Sequence, residues 1–310
     1  MKGRSGLGFV NEIRRPQSLV QTETSKQKKP HNLEKEKHVD EQRVGLRRLN
    51  AAACLLHFFT GIVVITAGNR SLHAMLFVTN MKSLNRERGD WLLRPDTLIE
   101  TTSVHLIVAI AVFEFVTAFF HFGAGVMWRR KYEEWVFVQH KNPSRWIEYS
   151  ITASVMIFLL GVFFGHVNLY VQILLVSLTA ITMGFGYLAE EASSQGNTPL
   201  AEKAHLLGYF PQVVVWSVVT TQFVRYAAVS QLDSAGDTVN EMPKWVYALF
   251  TVEILLFCSF AFVQALQIRY WRGENYVRAE KLFIALSYIS KASLAFLIIG
   301  GTINLKSSNT

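Results

Sequence analysis

The chain has 310 residues, of which 50% are hydrophobic and 17% are charged, a smaller charged share than the roughly 25% of ordinary soluble domains. The formal net charge is +8 at pH 7, but 12 of the 31 Lys and Arg residues lie within residues 1–48. The remaining sequence therefore contains long, almost purely apolar stretches. These apolar stretches argue against an ordinary soluble enzyme and favour a polytopic membrane protein. The basic residues do not predict binding to nucleic acid, because membrane topology accounts for them.

Residues 1–44 are rich in Lys, Glu, Gln, Ser and Thr and poor in large apolar side chains. Such a composition cannot bury enough apolar surface to compensate for the entropy lost on folding. We therefore predict a disordered, basic, cytoplasmic tail, which is either functionally silent or binds anionic lipid headgroups. No cleavable signal peptide is expected, because this region lacks an apolar core.

Seven apolar stretches are long enough to cross the hydrocarbon core of a bilayer as helices, which takes about 20 residues each. They lie at residues 49–68, 103–128, 146–166, 168–189, 204–228, 245–270 and 280–303. Pro211 predicts a kink in the fifth stretch, which neighbouring helices can compensate. The sequence thus predicts an all-α membrane protein, a bundle of seven transmembrane helices over residues 45–304, followed by a short outer tail at residues 305–310.

The distribution of Lys and Arg predicts the orientation in the membrane, because cytoplasmic loops carry an excess of these residues. With the N-terminus inside, the cytoplasmic segments contain 22 Lys and Arg residues and the outer segments contain 8. We therefore expect a multi-pass integral membrane protein with a cytoplasmic N-terminus and an extracellular C-terminus.

A few ionisable side chains fall inside the predicted spans, where they are costly and are functional candidates by default. They are His57, His105, Glu114, His121, Glu148, Glu253 and Lys291. Lys291 lies near the middle of the last span, too deep for its ammonium group to reach water easily. The amine must be deprotonated, paired with a carboxylate or chemically modified. Pairing would be a purely structural role, whereas a free amine could form a Schiff base with an aldehyde.

Helical spacing places several of these side chains on common faces. Ser287 precedes Lys291 by four residues and shares its face. Glu114, Thr117 and His121 form a polar stripe at positions i, i+3 and i+7, which cannot face lipid. The sequence therefore predicts an interior polar cavity in the cytoplasmic half of the bundle, although any one histidine there is more often a satisfied core residue than a functional one.

The segments RWIEYSITASVM at 145–156 and SYISKASLAFL at 287–297, with a lysine in the middle of the seventh span, resemble the heliorhodopsins. This family of retinal proteins has its N-terminus inside the cell. The resemblance covers the seven-span region, about residues 45–304, and leaves the N-terminal tail outside. It implies a rhodopsin-like bundle whose long first outer loop, residues 69–102, carries short β-strands.

The resemblance also implies roles for individual residues around the chromophore. Lys291 would bind all-trans-retinal as a protonated Schiff base, and Glu148 would be its counterion. Ser287 resembles the hydroxyl partner of that Schiff base. Thr117 stands where a serine is expected, which conserves the hydroxyl group.

Further residues are assigned by the resemblance to the surroundings of this centre. His57 and His121 resemble the histidine pair that lines the family's inner polar cavity. The residues expected to line the retinal pocket are Trp216, Tyr149 and Met156. Glu114 and Glu253 receive no role from the resemblance, but as intramembrane carboxylates they could form a proton relay.

The resemblance implies a non-enzymatic, light-sensing protein with a slow photocycle, which signals to or regulates a partner that the sequence does not identify. Its expected partners are retinal, the lipid bilayer and a second copy of the chain in a homodimer. The alternative is a light-gated proton or ion channel or transporter that uses the intramembrane Glu and His residues. A metal-dependent intramembrane hydrolase is a third possibility, but the sequence has no HExxH motif, and Cys54 and Cys258 lack metal-ligand or disulfide spacing.

Overall fold

The computed structural model describes residues 20–81, 85–87, 90–92, 95–229 and 242–303. The chain divides into two compact units, residues 1–45 and residues 46–310. Helix α1 extends over Val20–Ala67, so residues 20–44 are helical where the sequence predicts a disordered tail. Lys, Glu and Gln are strong helix formers, which accounts for helix in a segment without an apolar face. Residues 1–19 and 305–310, to which the predicted tails extend, lie outside the described residues.

A long helix occupies the position of each of the other six predicted spans. They are α2 (Leu106–Phe122), α4 (Pro143–Phe163), α5 (Leu169–Ser194), α6 (Thr198–Val229), α7 (Lys244–Arg269) and α8 (Tyr276–Ile303), and the short helix α3 (Arg129–Glu134) lies between α2 and α4. Within the described residues, six helices are long and apolar enough to cross a membrane. The seventh, α6, is less apolar because it contains Pro211, Gln212 and Gln222, yet it packs between α5 and α7 as the predicted fifth span should.

Local sequence signals explain where two of the central helices begin. Pro143 occupies the first turn of α4, and the side-chain oxygen of Asn142 accepts a hydrogen bond from the backbone N–H of Arg145. Asn168 caps α5 in the same way, accepting hydrogen bonds from the N–H groups of Tyr170 and Val171. Both asparagines satisfy backbone donors that have no partner inside the helix.

The connection from α2 to α4 is more ordered than the plain loop expected from the sequence. A π-helical turn at Gly123–Met127 and a second at Trp135–Gln139 flank α3. The ring of Trp128 lies against Gly123 so closely that a side chain at position 123 would overlap it. His140 ends the second turn in the left-handed region, with φ of 53°.

Short strands follow α1, as the resemblance implied for the first outer loop. Strand β1 (His73–Met81) pairs antiparallel with β4 (Pro95–His105), and β2 (Asn85–Glu87) pairs antiparallel with β3 (Asp90–Leu92). The N–H of Phe77 in β1 donates a 2.8 Å hydrogen bond to the carbonyl of Val167. The β1–β4 ribbon is therefore attached to the turn between α4 and α5.

The bundle has an apolar half and a polar half. The largest core cluster joins the ends of α2, α4 and α8 that lie nearest the strands, and Ile110, Leu160 and Ile298 in it are fully buried. The buried charged residues Arg145, Glu148 and Glu280 lie towards the opposite ends of α4 and α8, and Glu190 lies near the corresponding end of α5. This division places the candidate site where the apolar core meets the polar half.

Candidate functional site

Lys291 lies where the apolar core meets the polar half, and it is paired. Its Nζ is 2.6 Å from Oε1 of Glu148 and 2.7 Å from Oγ of Ser287. Only 2% of Lys291 and 4% of Glu148 are exposed. Because a charge removed from water needs a partner, this geometry explains how a lysine is accommodated in the middle of a membrane helix.

A third helix contributes to the same centre through Thr117. The hydroxyl group of Thr117 on α2 donates a 2.9 Å hydrogen bond to Oε1 of Glu148. The carboxylate on α4 is therefore held from two sides, by Thr117 on α2 and by Lys291 on α8. The i, i+4 spacing of Ser287 and Lys291 and the polar stripe on α2 bring together the groups that the sequence predicted to converge.

The predicted histidine pair is also formed. The rings of His57 and His121 are stacked, with centroids 5.8 Å apart and planes inclined by 9°. Nδ1 of His57 lies 2.6 Å from Oε2 of Glu114, and Nδ1 of His121 lies 2.8 Å from Oδ1 of Asn50. Glu114 is thus the direct partner of His57, a role that the sequence did not identify.

A large cavity opens beside Lys291. It contains about 830 Å³ of empty space, counting the space at its mouth. Its aromatic lining comes from the following residues: Trp146, Tyr149, Tyr209, Phe257, Phe260 and Phe283. The Nζ atom of Lys291 lies 5.2 Å from the ring centre of Tyr149. This slot between helices has the apolar, aromatic character of a pocket for a small molecule.

Two of the three predicted pocket residues line this cavity and the third does not. Tyr149 and Met156 are part of its wall. Trp216 lies one layer behind the wall, with its indole in edge contact with Phe257, which does line the cavity, at a centroid distance of 5.4 Å. The resemblance placed Trp216 in the wall of the retinal pocket, but the rotation of the helix, which a sequence cannot define, turns Trp216 towards Phe257 on α7.

The wall of the cavity formed by α6 and α7 carries polar groups that the sequence did not single out. Nδ1 of His205 is 3.1 Å from Oε1 of Gln264, whose amide nitrogen donates to the carbonyl of Gly186 at 2.7 Å. Both side-chain polar atoms of Gln212 are buried. The cavity is thus mainly apolar with a few polar groups, which is typical of ligand sites.

A second buried ionic cluster centres on Arg145, three residues before Glu148 on α4. Its two terminal nitrogens donate hydrogen bonds to the carboxylates of Glu190 and Glu280. Further donors surround the two carboxylates: Tyr132, Asn142, Trp146, Gln267 and Tyr276. Sequence reasoning assigned these groups to loops or left them unremarked. The available signal was the i, i+3 spacing of Arg145 and Glu148, which puts both on one face.

A smaller polar cavity connects the two clusters. It contains about 330 Å³ of empty space, and its wall includes Glu148, Ser287, Arg145 and Glu280. His121 and Asn50 line it as well. The sequence predicted an interior polar cavity, and His121 lines this one, whereas His57, which the resemblance also expected there, is not part of its wall.

Glu253 lies apart from these groups, in the apolar half. Its Oε1 accepts a 2.9 Å hydrogen bond from the hydroxyl of Ser293, two residues beyond Lys291, and the residue is fully buried. No contact joins Glu253 to Glu114 among the described residues. The two predicted relay carboxylates therefore lie in different surroundings.

Among the described residues there is neither a cluster of side chains suited to a metal ion nor a disulfide bond. Within the described ranges, no group of three or more His, Cys, Asp or Glu side chains is arranged to hold a metal ion. Cys54 and Cys258 are both free thiols.

Comparison with known proteins places this geometry in a family. The sequence model of the heliorhodopsin family matches residues 46–303. The chain belongs to the heliorhodopsin family. It is accordingly a multi-pass membrane protein of the retinal photoreceptor type, and the chromophore implied for a heliorhodopsin is retinal. No curated protein has a matching sequence.

Solved structures support the rhodopsin fold of this heliorhodopsin. The transmembrane domain of the Salpingoeca rosetta rhodopsin phosphodiesterase superimposes with a TM-score of 0.58 at 14% identity, over 88% of this chain and 89% of that one. Thermophilic rhodopsin superimposes with a TM-score of 0.54 at 11% identity, over 87% and 97% of the two chains. At such low identities these likenesses concern the fold alone.

Proposed function

We propose that this heliorhodopsin is a light sensor in which Lys291 binds all-trans-retinal as a protonated Schiff base and Glu148 is the counterion. The observation that carries the proposal is the position of Lys291 Nζ, which is 2.6 Å from Glu148 Oε1 and at the wall of the aromatic cavity. A lysine with only a structural role would need the carboxylate but not the cavity. The residues present therefore fit retinal, an apolar polyene with an aldehyde end.

The residues around the cavity have separate tasks in this proposal. Lys291 holds the chromophore covalently, and Tyr149 and Met156 form part of the apolar wall beside it. Bound retinal supplies light absorption and isomerisation. Glu148 balances the positive charge at the Lys291 nitrogen, while Ser287 and Thr117 orient the two charged groups by hydrogen bonds.

The same contacts offer a way to pass a signal to the helices. Thr117, Glu148 and Lys291 connect α2, α4 and α8 through charged hydrogen bonds. A change of charge at either end of the ion pair weakens this connection and shifts the balance between packings of the bundle. We infer a slow photocycle that regulates a partner rather than an enzymatic reaction. The homodimer, the cytoplasmic N-terminus and the domain boundaries at residues 44 and 304 remain predictions.

The proposal is tested by the colour of the purified protein. The chain is expressed with all-trans-retinal, purified in detergent and examined by absorption spectroscopy. We expect a visible band, and we expect Lys291→Ala to abolish it completely while the far-UV circular dichroism spectrum is retained.

Lys281→Ala is the matched control. Lys281 lies on the same helix but is exposed, so its removal should leave the band unchanged. A folded wild-type protein that stays colourless with added retinal, or a Lys291→Ala protein that keeps the band, would refute the assignment.

A second candidate function is light-gated passage of protons. Two observations favour it. Nδ1 of His57 lies 2.6 Å from Oε2 of Glu114, near the pair of Lys291 and Glu148. The carboxyl group of Glu253, which is fully buried, accepts a hydrogen bond from Ser293, two residues beyond Lys291. Ionisable groups on both sides of a light-sensitive centre are the components of a proton relay. Patch-clamp recording under illumination, at several voltages and pH gradients, tests this function. A light-dependent current that Glu253→Gln removes would support it, and the absence of current under every gradient would reject it.

A further inference from the structure

Two histidines face each other across the β1–β4 ribbon, away from the chromophore site. His73 opens β1 and His105 closes β4, and they are direct cross-strand partners. Their Nε2 atoms are 3.2 Å apart and their ring centroids are 3.9 Å apart. Both side chains are exposed or half-exposed, so the nitrogens are accessible from outside.

The tautomer of His73 is determined by its other ring nitrogen. Nδ1 of His73 lies 2.9 Å from the backbone carbonyl of Ser71, and a carbonyl can only accept a hydrogen bond. Nδ1 therefore carries the proton, and Nε2 presents a lone pair towards His105. A hydrogen bond from the second nitrogen to a backbone carbonyl is the usual arrangement of a histidine that ligates a metal.

The separation of the two nitrogens matches a chelating pair. With metal–nitrogen bonds of about 2.0–2.1 Å, a nitrogen separation of 3.2 Å corresponds to an angle of roughly 100° at the metal. This angle lies between those of octahedral and tetrahedral coordination. The nitrogen separation therefore needs little adjustment when a metal ion enters. The rings, whose centroids are 3.9 Å apart, must turn so that both Nε2 lone pairs point at the ion, and His105 must carry its proton on Nδ1.

We propose that His73 and His105 form a bidentate binding site for a divalent transition metal ion, with Cu²⁺ and Zn²⁺ as the ions it fits best. Neutral imidazole suits both ions, and Cu²⁺ is generally bound most tightly among first-row divalent metals. Since no third His, Cys, Asp or Glu ligand joins the pair in the part of the chain that the structure describes, water molecules complete the coordination. The binding is therefore reversible, and the open positions leave room for an external ligand.

The location of the pair connects it with the helix bundle. His105 is the residue immediately before α2, and His73 follows α1 after a short turn. A metal ion held by both would join the start of β1 to the start of α2, the helix that carries Thr117 and His121. Metal binding is thus expected to stabilise the junction of the ribbon with the bundle.

The test is titration of the purified full chain, prepared without a polyhistidine tag, with CuCl₂ and ZnCl₂ in isothermal calorimetry. We expect one saturable site that Mg²⁺ does not occupy. His73→Ala and His105→Ala should each weaken Cu²⁺ binding at least tenfold, because each removes one of two ligands. His38→Ala is the matched control, since that exposed histidine is paired with Gln42 and should leave the affinity unchanged.

Electron paramagnetic resonance of the Cu²⁺ complex provides a second measurement. Two equatorial nitrogen ligands are expected for the wild type and one for either variant. If an alanine variant fails to fold, His73→Asn and His105→Asn replace it. Absence of saturable binding, or an affinity that both substitutions leave unchanged, would overturn the proposal, and either result is independent of whether the protein binds retinal.

Discussion

The two buried ionic clusters of this heliorhodopsin differ in their composition and in what lies beside them. Arg145 is paired with two carboxylates, which in turn accept hydrogen bonds from neighbouring tyrosine, tryptophan, asparagine and glutamine side chains. Lys291 is paired with one carboxylate and one hydroxyl group, and it lies at the wall of a large apolar cavity. In the first cluster each carboxylate has several protein donors, whereas the second places the amine at the wall of a cavity.

The choice of cation is consistent with this difference. A guanidinium group stays charged under all ordinary conditions and binds two carboxylates with its fork of donors, whereas an amine can lose its proton and react with a carbonyl group. The ring of Phe283 lies 3.9 Å from Cζ of Arg145 and also lines the large cavity. The Arg145 cluster thus lies next to the cavity that Lys291 also lines, and Phe283 contacts both the cluster and the cavity.

The largest effect on stability is expected for Arg145→Met. Removing the guanidinium leaves Glu190 and Glu280 as buried carboxylates without a cation, which should lower the free energy of unfolding by about 3–5 kcal/mol. Thermal unfolding in detergent, followed by circular dichroism, measures the loss. Arg145→Lys keeps the charge but loses the fork and should cost less. Equal stability of wild type and Arg145→Met would show that the cluster is not structural.

A smaller loss of stability, together with a change of colour, is expected for Glu148→Gln. Lys291 can lose its proton when its partner is neutral, so the free energy of unfolding should fall by only about 2 kcal/mol. In the retinal-loaded protein the band should move to longer wavelength, because a negative charge near the Lys291 nitrogen is removed. Glu190→Gln provides the comparison and should leave the band nearly unchanged. An unshifted or blue-shifted band for Glu148→Gln would contradict the counterion assignment.

Thr117→Val tests the hydrogen bond that connects α2 with the counterion. Valine has nearly the shape of threonine but cannot donate to Glu148, so we expect a loss of about 1 kcal/mol. The band should move to shorter wavelength, since the negative charge of Glu148 becomes less delocalised into its hydrogen bonds. Thr117→Ser retains the donor and should behave as wild type. A Ser variant that differs from wild type as much as the Val variant does would argue for packing rather than hydrogen bonding.

The smallest effect concerns Tyr132, at the edge of the Arg145 cluster and outside the membrane-spanning segments. Its hydroxyl donates to Glu280 at 3.0 Å, and Tyr132→Phe should cost about 1 kcal/mol at neutral pH. Burial, reinforced by the Glu280 carboxylate, raises the pKa of Tyr132 well above its usual value. The folded state therefore keeps this proton while the unfolded state releases it above about pH 10, so stability declines as the pH rises beyond that value.

Melting temperatures recorded from pH 7 to pH 11 measure this contribution. The decline above pH 10 should be less steep for Tyr132→Phe than for the wild type, and the two should run parallel below pH 9. Identical slopes for the two proteins above pH 10 would contradict the assignment of this phenol as a buried, protonated group.

Sequence patterns predicted the spans and the shared face of Ser287 and Lys291, because both depend on short-range periodicity. Hydropathy located all seven bundle helices, and the i, i+4 spacing of Ser287 and Lys291 placed them on one face. The pairing of Lys291 with Glu148 followed from the cost of a buried charge together with the family resemblance. These conclusions need no knowledge of how distant helices are rotated.

Other features depend on contacts between distant parts of the chain. The partner of His57 is Glu114, 57 residues later, and the partners of Arg145 come from α5 and α8. Trp216 lies behind Phe257 rather than in the cavity wall, because helix rotation decides which side chain faces the slot. Helix in residues 20–44 was likewise not predicted, since charged composition indicates solvation but not backbone conformation.

The amino-acid sequence by itself determined where the chain crosses the membrane, that a lysine is buried in the last crossing, and that its amine must be deprotonated, paired with a carboxylate or chemically modified. Only the tertiary structure decided which groups surround that pair, how the Arg145 cluster is composed, and that His73 meets His105 across the ribbon. Hydropathy and helical periodicity are local properties of consecutive residues, whereas the neighbours of a side chain depend on the rotation and register of elements that are far apart in the chain.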